Sequence, residues 1–172
     1  MEFKWNNDRL LAIDDDDEKD KLTQLPVHVQ DKLMTNYLFA EFLNIFTDFF
    51  KVSKGKAMLG ANKIRSFYTW NDEIYRDFMI NLLLNLEPYM ENKNVQIIKE
   101  LEEFSQIIFI QKGKVAVGFE INRQKSYCLM FKDKCIIGAY GLTWNQRAAF
   151  NYTSFTFVSG FFIRKKNWED IL

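Results

Sequence analysis

Few side chains in this sequence have the chemistry that metal binding or nucleophilic catalysis requires. The one histidine, His28, lies near Pro26 in an amphipathic segment, so no histidine-based triad or multi-histidine metal site can be assembled. The two cysteines, Cys128 and Cys135, lack the CxxC spacing of a zinc site. We therefore expect His28 on a helix surface and both cysteines as reduced thiols in the core.

Several other groups have suitable types for catalysis but unsuitable spacing. The carboxylates that offer pairs for acid–base chemistry are Glu100, Glu102, Glu103 and Glu120. The first three fall in a predicted turn between strands, where we interpret them as solvated. Gly55-Lys56 lacks the rest of the phosphate-loop pattern GxxxxGK[ST]. Without a nucleophile–base pair, a metal cluster or such a loop, the sequence predicts a protein that is not an enzyme and holds no cofactor.

The charge balance argues against a nucleic-acid-binding protein. Basic and acidic residues each number 23, so no global basic field exists for nucleic acid or an anionic membrane. Two interpretations are open for the basic residues Arg123, Lys125, Arg164, Lys165 and Lys166. They could form a local patch that binds acidic lipid or a partner, or they could simply be solvated. We favour solvation.

The acidic run at residues 14–18 has neither the spaced ligands nor the glycine of a calcium loop. Residues 1–21 are therefore predicted to be a flexible acidic segment. No run approaches the roughly 18 apolar residues that span a bilayer, and no signal peptide opens the chain. We expect a soluble chain without a membrane span.

Helices are the first elements predicted to position these groups. Apolar residues at helical spacing between 25 and 50 are Leu25, Val29, Leu33, Tyr37, Phe42, Ile45, Phe46 and Phe49. This phenylalanine-rich face is expected to bury against either the β-domain or another subunit. Residues 51–66 have turn chemistry and are predicted to be a loop. A second helix is predicted from Asn71, with the core residues Ile74, Phe78, Leu82, Leu83 and Leu86.

After Pro88 the pattern changes to short β-branched or aromatic runs. Seven strands are predicted, at residues 95–98, 106–111, 114–120, 126–131, 135–137, 149–153 and 157–163. Because short antiparallel strands expose edges unless the sheet closes, we expect a rolled sheet, followed by a helix near Lys165. The predicted fold class is α+β: N-terminal helices, then a jelly-roll-like antiparallel β-roll that ends in a short helix.

Two motifs in the strand region resemble those of cyclic-nucleotide-binding domains. The run Phe-Ile-Gln-Lys-Gly-Lys-Val at residues 109–115 is similar to the family's Phe-Ile-x-x-Gly-x-Val signature. The run Ile-Gly-Ala-Tyr-Gly-Leu at residues 137–142, followed by Arg-Ala-Ala at 147–149, looks like its phosphate-binding cassette. The resemblance covers residues 22–172. It implies a linker-like helical segment at 22–86 and a roll at 87–172, with the C-terminal lid helix missing or truncated.

In binding members of the family, helix N–H groups and one arginine hold the cyclic phosphate, and a glutamate accepts from the ribose hydroxyl. The matching residues here are Gly138, Tyr140, Gly141, Leu142, Arg147, Ala148 and Ala149. Leu142 falls at the glutamate position and cannot accept that bond. For Arg147 we favour a surface role over a phosphate ligand. For Tyr140 and Trp144 we favour packing over base stacking.

The roll and helical preface are also similar to domains of ciliate cation and potassium channels. The resemblance thus implies a cytoplasmic regulatory domain at a plasma or ciliary membrane, in a channel where four copies assemble. We expect binding of cAMP or cGMP to be weak or lost. The alternative is a structural or scaffold protein that uses the roll as a protein-interaction module.

Overall fold

The structure is a computed structural model that describes residue 21 and residues 24–56, 65–122 and 124–172. Most of the predicted flexible segment 1–21, part of the predicted loop 51–66, and Arg123 lie outside the described residues. The chain divides between Leu84 and Asn85 into two compact units. We call the described residues up to Leu84 the helical unit and residues 85–172 the roll. No described helix has the length and apolar character to cross a membrane.

The first helical stretch changes its geometry midway. Helix α1 spans Val27–Leu33, a π-helical turn spans Met34–Leu38, and helix α2 spans Ala40–Phe46. In the π turn the N–H of Phe39 donates to the carbonyl of Met34 at 3.0 Å, which inserts one residue relative to the α-helical repeat. The apolar face therefore rotates. Phe39 is 2% exposed, whereas Tyr37, expected on the core face, is 74% exposed.

Phenylalanine rings form the core of the helical unit. The ring centroid of Phe42 lies 5.1 Å from that of Phe46 and 5.9 Å from that of Phe50. All three side chains are buried. The hydroxyl of Tyr75 donates to the carbonyl of Phe50 at 3.1 Å. The rings of Phe42, Phe46 and Phe50 are thus buried within the chain, whereas Tyr37 and Phe49 of the predicted face are 74% and 40% exposed.

A hairpin and a longer helix complete the helical unit. Strand β1 spans Ser53–Lys56, strand β2 spans Arg65–Phe67, and helix α3 spans Glu73–Leu84. Strands β1 and β2 pair antiparallel, so the loop prediction for 51–66 is wrong. These strands are not predicted from the sequence because the runs that form them are short and polar and lack the alternation of apolar residues that indicates a strand. Ile74, expected in the core, is 83% exposed because it lies about 140° around the helix from the buried Met79.

The roll consists of eight strands in two antiparallel sheets. The strands are β3 (Glu87–Glu91), β4 (Gln96–Ile98), β5 (Gln106–Lys112), β6 (Val115–Ile121), β7 (Gln124–Phe131), β8 (Cys135–Ile137), β9 (Asn151–Ser154) and β10 (Val158–Arg164). One sheet has the order β3-β10-β5-β8 and the other β4-β9-β6-β7. Helix α4 (Ala139–Thr143) joins β8 to β9, and helix α5 (Lys165–Ile171) follows β10. The seven predicted strands are present to within two residues at each end.

Strand β3 is absent from the sequence-based prediction because Pro88 indicated the end of a helix. It lies at the edge of its sheet, paired with β10 alone, where a residue without an N–H is tolerated. The core sits between the sheets. Residues 107–110 of β5 are all 0% exposed, which is expected of a strand flanked by neighbours and covered on both faces.

Strand β7 is one of the two edge strands of the second sheet, and its pairing with β6 is irregular. Val117 pairs with Leu129 and Gly118 with Tyr127, so Cys128 is an extra residue in a β-bulge. Its thiol donates to the carbonyl of Val117 at 3.3 Å. The expectation of a core thiol is wrong for Cys128, which is exposed because its strand lies at an edge, and Cys135 is half-buried.

Strand β10 passes close to β5 at a glycine. A Cβ on Gly160 would lie 1.9 Å from the carbonyl oxygen of Phe109 and 2.9 Å from the backbone nitrogen of Gln111. Backbone atoms cannot move aside as a flexible side chain does. The central position of β10 in its sheet therefore depends on the missing side chain at this residue.

We predict that Gly160→Ala lowers the free energy of unfolding by about 1–3 kcal/mol, the usual range for overpacking. Urea denaturation followed by tryptophan fluorescence measures this change. The neighbouring variant Ser159→Ala, in the same strand, is the control and is expected to change stability by no more than about 0.5 kcal/mol. Equal stability of the Gly160→Ala and unaltered proteins would contradict the close approach of the two strands.

Candidate functional site

Helix α4 begins at a left-handed glycine. Gly138 has φ +86°, and its carbonyl accepts the N–H of Leu142 at 2.8 Å. A Cβ on Gly138 would lie 2.7 Å from the carbonyl oxygen of Gln106, so both the backbone angle and the contact require glycine. Gly141, which the resemblance matches to the aromatic-glycine pair of the cassette, lies inside the helix. The glycine at the helix start is Gly138.

The ring of Phe104 packs against this helix. A Cβ on Gly141 would lie 2.2 Å from Cδ2 of Phe104, and one on Gly138 would lie 3.0 Å from Cδ1. Phe104 also meets Tyr152 edge-on, with ring centroids 6.2 Å apart. The two glycines thus let an aromatic ring lie directly against the helix backbone, which fixes α4 on the roll.

The side chains of α4 divide between core and surface. Leu142 is 2% exposed and belongs to the core. Tyr140 and Trp144 are 73% and 64% exposed, with ring centroids 6.5 Å apart. The expectation that these two aromatic residues pack in the core is wrong. They are four residues apart and so share one face, and a residue midway between them points to the opposite face.

Arg147 is an exposed residue with a carboxylate partner. Its side chain is 65% exposed, and its Nη2 lies 3.6 Å from Oε1 of Glu103. The backbones of these two residues form a β-bridge. The N–H of the buried Ala148 donates to the carbonyl of Glu102 at 2.8 Å, while Ala149 is exposed. The sequence alone places Glu103 in a solvated turn. It does not predict the ion pair of Glu103 with Arg147, because the two residues are far apart along the chain.

Helix α5 is bonded to the segment that contains α4. The indole N–H of Trp168 donates to Oγ1 of Thr143 at 3.1 Å. The Lys165 ammonium donates to Oδ1 of Asn145 at 2.7 Å. Trp168 is buried, so this side of α5 packs on the roll and its ring nitrogen has a partner. A displacement of α4 would therefore either break these two hydrogen bonds or move α5 with it.

Burial shifts the titration of one group in each of the strands β8 and β9, which α4 joins. It raises the pKa of the Cys135 thiol from 9.0 to about 11, an effect partly opposed by a backbone hydrogen bond and reinforced by Asp133. Burial also raises the pKa of Tyr152. Both groups are therefore protonated near neutral pH. Within the described ranges, no three His, Cys, Asp or Glu side chains lie together as metal ligands.

Thiol alkylation tests this difference in burial. Because the thiolate is the nucleophile, iodoacetamide near neutral pH should modify the exposed Cys128 well before Cys135. The rate at Cys135 should rise as the pH approaches its raised pKa of about 11. Peptide mass spectrometry measures both rates, and alkylation in denaturant, where both thiols are free, is the control. Equal rates in the native protein would contradict the burial of Cys135.

Solved structures similar to this chain include regulatory subunits of protein kinase A. PfPKA-R with cAMP bound is 21% identical with a TM-score of 0.50, and the match covers 56% of this chain and 34% of that one. A regulatory subunit of a cAMP-independent protein kinase A from Trypanosoma cruzi, bound to guanosine, is 19% identical with a TM-score of 0.49, over 60% of this chain and 39% of that one. No family model and no curated protein matches the sequence.

This chain thus spans the equivalent of about a third of the length of PfPKA-R (34%). The likeness concerns the fold, and it agrees with the two antiparallel sheets and the helix between β8 and β9. The predicted α+β fold class is confirmed: the chain carries a β-roll of the cyclic-nucleotide-binding type.

Proposed function

We propose that this chain is a regulatory domain of the cyclic-nucleotide-binding type whose affinity for cAMP and cGMP is weak or lost, and that it is not an enzyme. The observation that carries the proposal is the state of the cassette-like segment. Leu142 is held in the core, and Arg147 is paired with Glu103. The fold likeness to cAMP-bound PfPKA-R supports the regulatory class.

The ribose of a cyclic nucleotide would find no carboxylate on α4. The helix has the sequence Ala-Tyr-Gly-Leu-Thr, without an acidic residue. The resemblance places Leu142 at the glutamate position, whereas Ala139 directly follows the left-handed Gly138. Neither side chain accepts a hydrogen bond. A buried hydroxyl without a partner costs about 1–3 kcal/mol, which is a loss of about five- to 150-fold in affinity.

The ion pair of Arg147 is a smaller obstacle to anion binding. Its side chain and that of Glu103 are 65% and 71% exposed. Exposed ion pairs contribute about 0–1 kcal/mol, so a phosphate could compete with Glu103 at modest cost. The missing carboxylate therefore outweighs the occupied arginine. For this reason we propose a weakened site in which Arg147 is the remaining polar contact.

Regulation also needs a route by which α4 influences the rest of the chain. Helix α5 is bonded to the α4 segment, and at its start Arg164 donates two hydrogen bonds of 2.7 Å to the carboxylate of Glu87. Glu87 begins β3, which follows α3 in the chain. Arg164 and Lys165, which the sequence predicts to be solvated, thus join α5 to two other segments: Arg164 bonds to Glu87 of β3, and Lys165 bonds to Asn145 after α4. We propose that α5 relays a displacement of α4 toward the chain segment before β3.

As the setting we propose a cation or potassium channel at a membrane, in which the linker helices assemble four copies. Its support is the sequence resemblance of residues 22–172. The alternative is a scaffold protein that uses the roll to bind other proteins. The exposed pair Tyr140 and Trp144 favours that alternative, because large aromatic residues are enriched in protein interfaces.

Sequencing the transcript upstream of the codon for Met1 separates the two settings. For the channel we expect an open frame that encodes six apolar spans of about 20 residues each. Such spans follow from the need to bury every backbone polar group inside the bilayer. An in-frame stop codon directly before Met1 would instead favour the scaffold.

Isothermal titration calorimetry of the full chain with cAMP and with cGMP tests the proposed weak binding. We expect either no binding heat or a dissociation constant near the millimolar range. Where weak binding is measured, Arg147→Gln should remove it, because Arg147 is the remaining polar contact. Lys166→Gln, which removes an exposed cation from α5, is the control and should leave binding unchanged. A micromolar dissociation constant for the unaltered chain would refute the proposal.

A further inference from the structure

Four turns of the roll meet at one end, at the opposite end of β8 from α4. These are the turns β3–β4, β5–β6, β7–β8 and β9–β10. Oδ1 of Asp133 accepts the N–H of Gly113 at 2.8 Å, and Oγ1 of Thr156 accepts the N–H of Lys114 at 2.9 Å. These bonds join three of the turns directly. We call residues 92–95, 112–114, 132–134 and 155–157 the turn end.

The fourth turn is joined through a serine of β9. The N–H of Asn94 donates to the carbonyl of Ser154 at 2.7 Å, and the N–H of Val95 donates to Oγ of Ser154 at 2.9 Å. Phe155, the next residue, donates its N–H to the carbonyl of Lys114 at 2.8 Å. The turn end is therefore one surface whose parts are held in register by hydrogen bonds.

Cationic side chains are in excess on the turn end. Its lysines, all exposed, are Lys93, Lys112, Lys114, Lys132 and Lys134. In the part of the chain that the structure describes, no salt bridge joins any of them to a carboxylate. The acidic side chains beside them already accept backbone hydrogen bonds: Asp133 from Gly113, and Glu91 from Asn92 at 3.0 Å.

The opposite end of the roll is electrostatically different. There three cations have carboxylate partners, in the pairs Arg147–Glu103, Arg164–Glu87 and Lys165–Glu169, and Lys99, unpaired among the described residues, is followed by the exposed carboxylates Glu100 and Glu102. The formal net charge of zero for the whole chain thus conceals an uneven distribution. A patch of unbalanced charge attracts a surface of the opposite sign over about a Debye length, whatever the total charge.

Two exposed aromatic residues lie among these lysines. Phe155 and Phe157 are 42% and 45% exposed and flank Thr156. In β3, Met90 is 46% exposed and pairs with Ser159, two residues beyond Phe157. Ammonium groups around exposed apolar side chains match the boundary of a bilayer, where lipid phosphates and carboxylates lie next to acyl chains.

We infer that the turn end docks the roll on an anionic lipid surface. Its lysines bind the headgroups, and Phe155 and Phe157 enter the boundary between headgroups and acyl chains. Arginine, whose fork suits bidentate contacts with nucleic-acid phosphates and bases, is absent from these four turns. Lysines act as point charges, which suits a laterally mobile lipid surface. This docking does not depend on any nucleotide at α4.

Cosedimentation of the full chain with lipid vesicles tests the inference. We expect no binding to phosphatidylcholine vesicles and clear binding when part of that lipid is replaced by phosphatidylserine. Binding should fall steeply as salt is raised, because the Debye length shrinks from about 10 Å at 0.1 M to about 3 Å at 1 M. Failure to bind the phosphatidylserine vesicles at low salt would overturn the inference.

A matched pair of double variants locates the surface. Lys93→Gln with Lys132→Gln removes two charges from the turn end, and each lysine near a membrane is worth about a fivefold change in partitioning, so binding should weaken about 25-fold. Lys99→Gln with Lys166→Gln removes the same charge from exposed residues outside the turn end and should weaken binding less than about threefold. Equal losses in the two double variants would overturn the placement.

Two further measurements test whether Phe157 contributes to vesicle binding and whether the turn end binds nucleic acid instead of lipid. Phe157→Ser should weaken vesicle binding and leave its salt dependence unchanged, provided that urea denaturation shows a folded protein. A folded variant that binds vesicles normally would remove Phe157 from the docking surface. Tighter binding to a single-stranded oligonucleotide than to phosphatidylserine vesicles would replace the lipid surface by nucleic acid and overturn the inference.

Discussion

The contact between the ring of Phe104 and the backbone of α4 determines the geometry of the candidate site. A helix of five residues is too short to be stable alone, so its conformation depends on what packs against it. Gly138 and Gly141 lack the atoms that would keep the ring away, and Tyr152 holds the ring from the other side. This contact directs Leu142 into the core and leaves Tyr140 and Trp144 at the surface. The chemistry available at the site follows from that division.

The sequence was most informative where burial and local pattern agree. The strands of the roll are short β-branched or aromatic runs between turn residues, and the structure contains all seven that were predicted. It was least informative where backbone geometry decides. The π turn moves Tyr37 out of the core without any residue type that announces it. Strands β1 and β2 pair through polar residues, and β3 accepts Pro88 because only one neighbour pairs with it.

The candidate site was predictable in its place but not in its contacts. The cassette-like run does lie between two strands, at α4. The helix starts at Gly138 because this residue has a positive φ. The sequence contains two nearby glycines, Gly138 and Gly141, and does not show which of them adopts that conformation. The pairing of Arg147 with Glu103 depends on how the roll closes, since the two residues are distant in the chain. Long-range contacts of this kind need the tertiary fold before they can be assigned.

The bulge at Cys128 also affects how molecules of this protein behave when crowded together. A long, regular, apolar edge strand offers an unbroken row of unpaired N–H and C=O groups to a second molecule, and such rows seed fibrils. In β7 the extra residue interrupts that row midway, between Tyr127 and Leu129. A strand from another molecule cannot stay in step along its whole length. The irregularity therefore protects this rim of the roll against amyloid-like stacking, although the strand itself contains the apolar run Leu129, Met130 and Phe131.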